Sequence, residues 1–217
     1  MTSTSGSQAN AARAVACGGL LGVLVLNVIY SGGVTEADKF VLAGLHRMPR
    51  PELASMMARA ASVPGEPWAA LLTAPTLAGL GAALFPHSSR PAGISARAVR
   101  AVAVLAVGAS TRRLLCDLIA RPRPPRRYWM ATPHGHSFPS KHTTLAALAL
   151  GAGTAAYPRA ARRAATALCL ATGLSRVYLG VHWPSDVASG WLLAAAWLSV
   201  ADLPGCSMRP GSAVRTG

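Results

Sequence analysis

Six apolar blocks, separated by polar and basic connections, dominate the pattern of the chain. The blocks cover residues 14–30, 68–85, 99–119, 142–157, 164–181 and 185–201. Several are shorter than the ~20 residues that cross a bilayer comfortably, so we expect their ends to extend into the interface. The pattern predicts an all-α integral membrane protein, built as a bundle of six transmembrane helices.

The connection between the first two blocks, residues 35–62, is too polar to cross a membrane and has the spacing of two amphipathic helices. Thr35 followed by Asp38 is typical of a helix N-cap, and Pro51 precedes the second helix. Each helix has an apolar side, formed by Val41, Leu42 and Leu45 in the first and by Leu53, Met56 and Met57 in the second. We expect either a lid packed on the bundle or an interfacial ramp for a lipid.

The composition supports a membrane protein and argues against nucleic-acid binding. Of 217 residues, 52% are hydrophobic and 13% are charged, about half the charged fraction of roughly 25% in soluble domains. The net charge of +14 invites a nucleic-acid partner, but the basic residues are scattered and aromatic residues make up only 6%. A basic patch with interleaved aromatic residues is missing, so we expect no nucleic-acid partner.

The Lys and Arg residues of the connections set the expected orientation. With the N-terminus inside, the outer connections carry more basic residues in total, and many of these belong to the motifs described below. We predict cytoplasmic tails at 1–13 and 202–217, a six-helix domain at 14–201, and the amphipathic segment on the extracytoplasmic face. The first block, flanked by Arg13, has 17 residues, more than the ~7–15 of a signal peptide's apolar core, which favours an uncleaved anchor.

Neither a disulfide framework nor a metal site is expected. The four cysteines lie far apart and lack C-x-x-C spacing. His134 and His136 have the spacing of a metal-binding pair, but no acidic residue lies close to them in the sequence. We interpret them as loop or rim residues.

The segment from Ser175 to Asp186 carries the strongest chemical signal, because an Arg, a His and an Asp occur among apolar residues. His182 and Asp186 are four residues apart, so in a helix they share one face and can hydrogen-bond. A carboxylate on one ring nitrogen fixes the tautomer and leaves the other nitrogen nucleophilic. Arg176 adds a forked cation that suits a phosphate.

A second histidine, His142, stands at the start of another apolar block, in the segment Pro139-Ser140-Lys141-His142. Phosphoryl transfer needs a nucleophile, a proton donor for the leaving oxygen, and positive groups around the phosphate oxygens. His182 can supply the first and His142 the second. Arg123, Arg176 and Ser140 can supply the third, together with backbone N–H groups at the helix start.

Three segments resemble those of the type 2 phosphatidic acid phosphatase superfamily, which are membrane lipid phosphatases related to vanadium-sensitive acid phosphatases. The third segment matches in full, as Ser-Arg, five residues, His, three residues and Asp. The second matches as Pro139-Ser140-x-His142, with Lys141 where the family usually has Gly. In the first, Arg123-Pro124 matches, but Cys116 stands where the family usually has Lys.

The resemblance implies that His182 is the nucleophile, that Asp186 orients it, and that His142 is the acid for the leaving alkoxide. It implies that the phosphate is held by Arg123, Ser140 and Arg176, and that no metal or other cofactor is needed. The missing Lys removes one phosphate contact.

Arg112 and Arg113 lie one turn before Cys116 and are candidates to replace the lost cation. We favour Arg113. Lys141 could also return a positive charge to the site. Both residues therefore join the predicted phosphate-binding set.

The leading hypothesis is an integral membrane lipid phosphatase that hydrolyses a lipid phosphate monoester or a polyprenyl diphosphate through a phosphohistidine intermediate. It would work in a bacterial plasma membrane, with the active site on the extracytoplasmic face and membrane lipids as its partners. A lipid phosphotransferase and a non-catalytic relative that binds lipid phosphates are the alternatives. The sequence leaves the lipid substrate and the oligomeric state open.

Overall fold

All regular elements in the described part of the chain, residues 2–86 and 93–202 of a computed structural model, are helical. The helices are α1 Thr2–Tyr30, α2 Glu36–His46, α3 Glu52–Ser62, α4 Pro67–Leu84, α5 Ile94–Ile119, α6 Lys141–Gly153, α7 Arg159–Tyr178 and α8 Pro184–Ala201. Short 3₁₀ turns occupy Val63–Gly65 and Arg126–Tyr128. The predicted all-α class is therefore confirmed.

Each predicted apolar block falls mainly on one helix, namely α1 and α4 to α8, although the blocks 142–157 and 164–181 extend beyond the helix ends at Gly153 and Tyr178. Within the described residues, two helical segments are long and apolar enough to cross a membrane, Gly6–Tyr30 and Pro67–Leu84. A six-helix transmembrane count remains a prediction, because α6 has only 13 residues and spans about 20 Å. The predicted tail at 1–13 is helical from Thr2 onward, and all but the first residue of the tail at 202–217 lies outside the described residues.

The core of the bundle is built around α6, which packs against α4, α5, α7 and α8. Small side chains let these helices approach closely. Many of the buried core residues are alanines: Ala70, Ala74, Ala78, Ala101, Ala149 and Ala194. α1 packs on α8, and α3 packs on α7.

The long helices α1 and α4 to α8 run alternately up and down, so their connections fall at two ends of the bundle. At one end Arg100, near the start of α5, forms an ion pair with Asp202 beyond the end of α8. The opposite end carries the three connections 31–66, 120–140 and 179–183, and they contact one another, as when Arg121 donates to the Gly33 carbonyl. The segments with the sequence motifs therefore meet at one end.

The amphipathic segment forms the two predicted helices, α2 and α3. The N-cap prediction is confirmed, since the Thr35 hydroxyl accepts the Asp38 N–H at 3.1 Å. Leu42 on α2 is buried in a cluster with α7 and α8 residues, as a lid requires. The predicted apolar side of α3 faces outward instead, with Met56 60% and Met57 64% exposed.

Candidate active site

The predicted nucleophile, His182, lies in the short turn between α7 and α8 and is almost completely buried. Pro184 is the first residue of α8 and Asp186 the third, a position where a carboxylate interacts well with the helix N-terminus. One Asp186 oxygen accepts the Trp183 N–H at 2.9 Å and lies 3.3 Å from His182 Nδ1. The expected contact is present, but His182 precedes the helix, so the prediction that the two residues share a helical face is wrong.

A glycine turn brings His182 to this place. Gly180 has φ +68°, in the left-handed region that favours glycine. A Cβ at this position would lie 2.1 Å from the Tyr128 carbonyl oxygen. The chain can therefore reverse tightly after α7 only with glycine here, and this reversal carries His182 into the interior.

The surroundings of His182 keep its ring neutral and ready to attack. Burial lowers the pKa of His182 to about 3, and the hydrogen bond with Asp186 opposes that shift without cancelling it. The carboxylate assigns the ring proton to Nδ1, because Asp186 can only accept. His182 Nε2 therefore carries a lone pair, and it accepts a hydrogen bond from Arg123 Nη1 at 3.2 Å.

Arg123 holds the loop before α6 against the nucleophile. Besides His182 it donates to the Val181 carbonyl at 2.6 Å. Its other N–H groups reach the backbone carbonyls of His134, Gly135 and His136. All five donors of the guanidinium thus have partners, and within the described residues no cluster of three or more metal-ligating side chains forms.

Arg176 offers an unused donor inside the site. Its side chain is buried, and Nη1 donates to the Ser62 hydroxyl at 3.1 Å. Its Nε is buried without a partner in the described part of the chain. An unsatisfied buried donor costs about 1–3 kcal/mol, so an incoming phosphate oxygen would relieve this group.

Ser140 caps α6 and ties the second motif to the third. Its backbone N–H donates to the Asp186 carbonyl at 2.9 Å. Thr143 donates to the Ser140 hydroxyl oxygen at 2.9 Å, which leaves the Ser140 O–H free to donate. In the first turn of α6, His142 Nε2 lies 2.9 Å from a carboxylate oxygen of Glu66. The charge of Lys141 acts on both of these groups.

The structure does not bring Arg113 to the site. Its side chain is 84% exposed and faces Asp117 at 3.9 Å on the outer surface of α5. Arg112 takes the inner position instead, because its Nε donates to the Pro139 carbonyl at 2.8 Å. The prediction that Arg113 replaces the lost cation is therefore wrong, because its side chain leaves α5 on the outer surface, whereas that of Arg112 leaves on the inner one.

Sequence reasoning missed a buried ion network behind Asp186. Arg121 is fully buried and donates to Asp186 at 2.5 Å and to Asp38 at 2.6 Å. Ser185 also donates to Asp38, through its N–H at 2.9 Å and its hydroxyl at 2.6 Å. Burial alone would raise the pKa of Asp38, but hydrogen bonds from Ser185 and Arg121 bring it below the ordinary value.

This network joins α2 to the carboxylate that orients the nucleophile. Asp38 had a sufficient sequence explanation as a cap residue, and Arg121 was part of an Arg-Pro-Arg-Pro run. The signal that could have identified Asp38 was the scarcity of acidic residues, since the chain has only seven of them against 21 basic ones. A chain with so many basic residues does not need an acidic residue for solubility, and buried charged residues are almost always paired, so a buried ion pair is the better explanation of Asp38.

Known proteins with similar sequences identify the family of this chain. The model of the PAP2 superfamily matches residues 97–201. Decaprenylphosphoryl-5-phosphoribose phosphatase of Mycobacterium tuberculosis is 37% identical over 138 residues, which cover 59% of this chain and 70% of that protein. The chain belongs to the PAP2 superfamily. The resemblance drawn from the three motifs is thereby confirmed.

Two further similarities support the assignment. An undecaprenyl-diphosphatase of Sulfolobus acidocaldarius is 68% identical over 25 residues, which are 12% of each protein. The crystal structure of a transmembrane PAP2 type phosphatidylglycerolphosphate phosphatase from Bacillus subtilis superposes with a TM-score of 0.69 and 20% identity, covering 87% of this chain and 93% of that one. The fold is thus shared with a transmembrane protein, and the homologues named as phosphatases confirm the expected class of phosphoric ester hydrolases.

Proposed function

We propose that the chain is a membrane lipid phosphatase that transfers a phosphoryl group to His182 Nε2 and then to water. The observation that carries the proposal is the buried His182–Asp186 pair, with Nε2 facing Arg123. A neutral imidazole with its other nitrogen held by a carboxylate is an activated nucleophile. The unpaired Nε of Arg176 supports an anionic ligand in the same place.

The cations around Nε2 would hold the phosphate. Arg123 donates to Nε2 in the free protein, and an arriving phosphate oxygen would take over that N–H and release the lone pair. Arg176, Arg112 and the Ser140 hydroxyl would bind the other oxygens. Fixed donors of this kind stabilise the charge that develops in phosphoryl transfer.

His142 would serve as the acid and then as the base. In the first step Nε2 of His182 attacks phosphorus, the bond to the lipid oxygen breaks, and His142 gives a proton to that oxygen. In the second step His142 takes a proton from water, the water oxygen bonds to phosphorus, and the bond to Nε2 breaks. Inorganic phosphate leaves, and both histidines return to their starting states.

The substrate we propose is a polyprenyl lipid that carries a terminal phosphate, with a polyprenyl-linked phosphoribose as the first to be tested. The names of two relatives, one matching 138 residues and one matching 25, support this class. We further propose six spanning helices, cytoplasmic tails, and a site on the extracytoplasmic face of a bacterial plasma membrane. The outward apolar side of α3, with Met56 and Met57, suits the interface beside that site.

The test is phosphate release by purified protein in detergent. The panel is decaprenylphosphoryl-5-phosphoribose, undecaprenyl diphosphate, phosphatidylglycerol phosphate and phosphatidate. We expect release by the wild type, a loss of about 10⁴-fold or more in His182→Ala, and no change in Asp117→Asn, an exposed control. Release by His182→Ala at the wild-type rate would refute the proposed mechanism.

A further inference from the structure

An acidic residue outside the three motifs contacts the proposed acid, His142. Glu66 directly precedes α4 and follows the 3₁₀ turn Val63–Gly65. That turn packs so tightly on α6 that a Cβ on Gly65 would lie 2.3 Å from the His142 carbonyl oxygen. Only glycine fits, so the backbone itself holds Glu66 beside His142.

The Glu66 carboxylate is an ionised hydrogen-bond acceptor. Its Oε1 lies 2.9 Å from His142 Nε2, with the His142 side chain 11% and the Glu66 side chain 41% exposed. Burial raises the pKa of Glu66, but the hydrogen bond from His142 and the charges of His142, Lys141 and Arg176 bring it below its ordinary value. The carboxylate therefore accepts, and His142 Nε2 carries the proton.

The two histidines of the site are each held by a carboxylate, but through different ring nitrogens. Asp186 holds Nδ1 of His182 and leaves Nε2 for the phosphorus. Glu66 holds Nε2 of His142, so Nδ1 is the nitrogen that remains for the leaving oxygen. A carboxylate on one ring nitrogen fixes the tautomer and stabilises the imidazolium, as in other acid–base sites.

We propose that Glu66 is a positioning residue that holds His142 for proton transfer through Nδ1. This inference rests on the proposed function. The His142 ring enters the first step as the imidazolium, with its Nε2–H donated to Glu66. Its Nδ1 proton moves to the leaving oxygen as the bond from that oxygen to phosphorus breaks, and the neutral ring keeps Nε2–H on Glu66. In the second step Nδ1 takes a proton from the attacking water, and Glu66 again faces an imidazolium.

A leaving-group comparison separates this role from a structural one. The alkoxide that leaves from an alkyl phosphate needs a proton as it departs, whereas the 4-nitrophenolate that leaves from 4-nitrophenyl phosphate is a stable anion and needs none. We expect Glu66→Gln to lower kcat for the lipid phosphate by about 10²-fold and kcat for 4-nitrophenyl phosphate by less than about threefold. Glu52→Gln, an exposed acid in the same connection, should change neither rate.

A double variant tests whether Glu66 acts through His142. In a His142→Asn background, Glu66→Gln should cause no further loss, because the group it positions is gone. An equal loss with both substrates, or an additional loss in the His142→Asn background, would overturn the inference. Failure of the proposed function looks different, because hydrolysis would then survive His182→Ala.

Discussion

Replacing Arg112 by Gln removes a cation from the inner face of α5, whereas the same change at Arg113 removes one from its outer surface. Arg112 is anchored through Nε to the Pro139 carbonyl at 2.8 Å. Its charge acts on Arg123, so the two guanidinium groups lie close to the same site. Arg113 is 84% exposed and pairs loosely with Asp117. The two variants have the same chemistry and differ only in position.

The expected effects differ by orders of magnitude. Loss of one preorganised donor to a developing anion costs roughly 2.7–4 kcal/mol, or about 10²–10³-fold in kcat. An exposed ion pair contributes about 0.2–1 kcal/mol at most, and only to folding. We therefore expect Arg112→Gln to lower kcat/KM for the lipid phosphate by about 10²–10³-fold and Arg113→Gln to leave it within about twofold.

The assay is phosphate release in detergent. The thermal midpoint of unfolding of each variant is measured as well, so that variants are compared only where they are folded like the wild type. Cys116→Lys should be neutral or harmful, because Cys116 is buried and Arg112 already supplies a cation there. A larger loss in Arg113→Gln than in Arg112→Gln would refute the geometric argument. A Cys116→Lys enzyme markedly faster than wild type would show that the site lacks a cation.

Three further outcomes follow from the site. Activity should survive EDTA in a phosphate-release assay, because Arg, Ser and backbone groups hold the phosphate; loss restored by a divalent cation would contradict this. Asp38→Asn should lower the thermal midpoint in detergent far more than Asp117→Asn, since breaking a buried pair with Arg121 costs about 3–5 kcal/mol; equal midpoints would refute the network. Burial lowers the pKa of His182 from 6.5 to about 3, so on acidification the unfolded chain takes up this proton before the folded protein does. The free energy of unfolding should therefore fall as the pH is lowered from 6.5 towards 3, by up to about 1.4 kcal/mol per pH unit. The midpoint of His182→Gln should depend less steeply on pH, and an equal slope would contradict the buried neutral ring.

The predictions that succeeded came from local patterns. Helical blocks and the Thr35 cap follow from spacing along a single segment, and they agree with the structure. The pairing of His182 with Asp186 also came from spacing, although the contact uses a helix N-terminus and not a helical face.

The features that were missed depend on long-range contacts. Glu66 reaches His142 across 76 positions and Arg121 reaches Asp38 across 83, and one sequence has no pattern that links such distant residues. The choice between Arg112 and Arg113 failed for a related reason. Adjacent residues on a helix differ in direction by about 100°, so the choice needs the packing of α5 against the loop before α6.

The central claim is that the phosphoryl group passes through His182, and direct trapping of that intermediate tests it. Wild-type protein would be mixed with the lipid phosphate, quenched in base within the first turnover, digested and analysed by mass spectrometry, with His182→Gln as the control. We predict one acid-labile phosphoryl group on the peptide that contains His182 and none in the control. A phosphoryl group on another residue of the wild type, or one that forms equally in His182→Gln, would contradict the account.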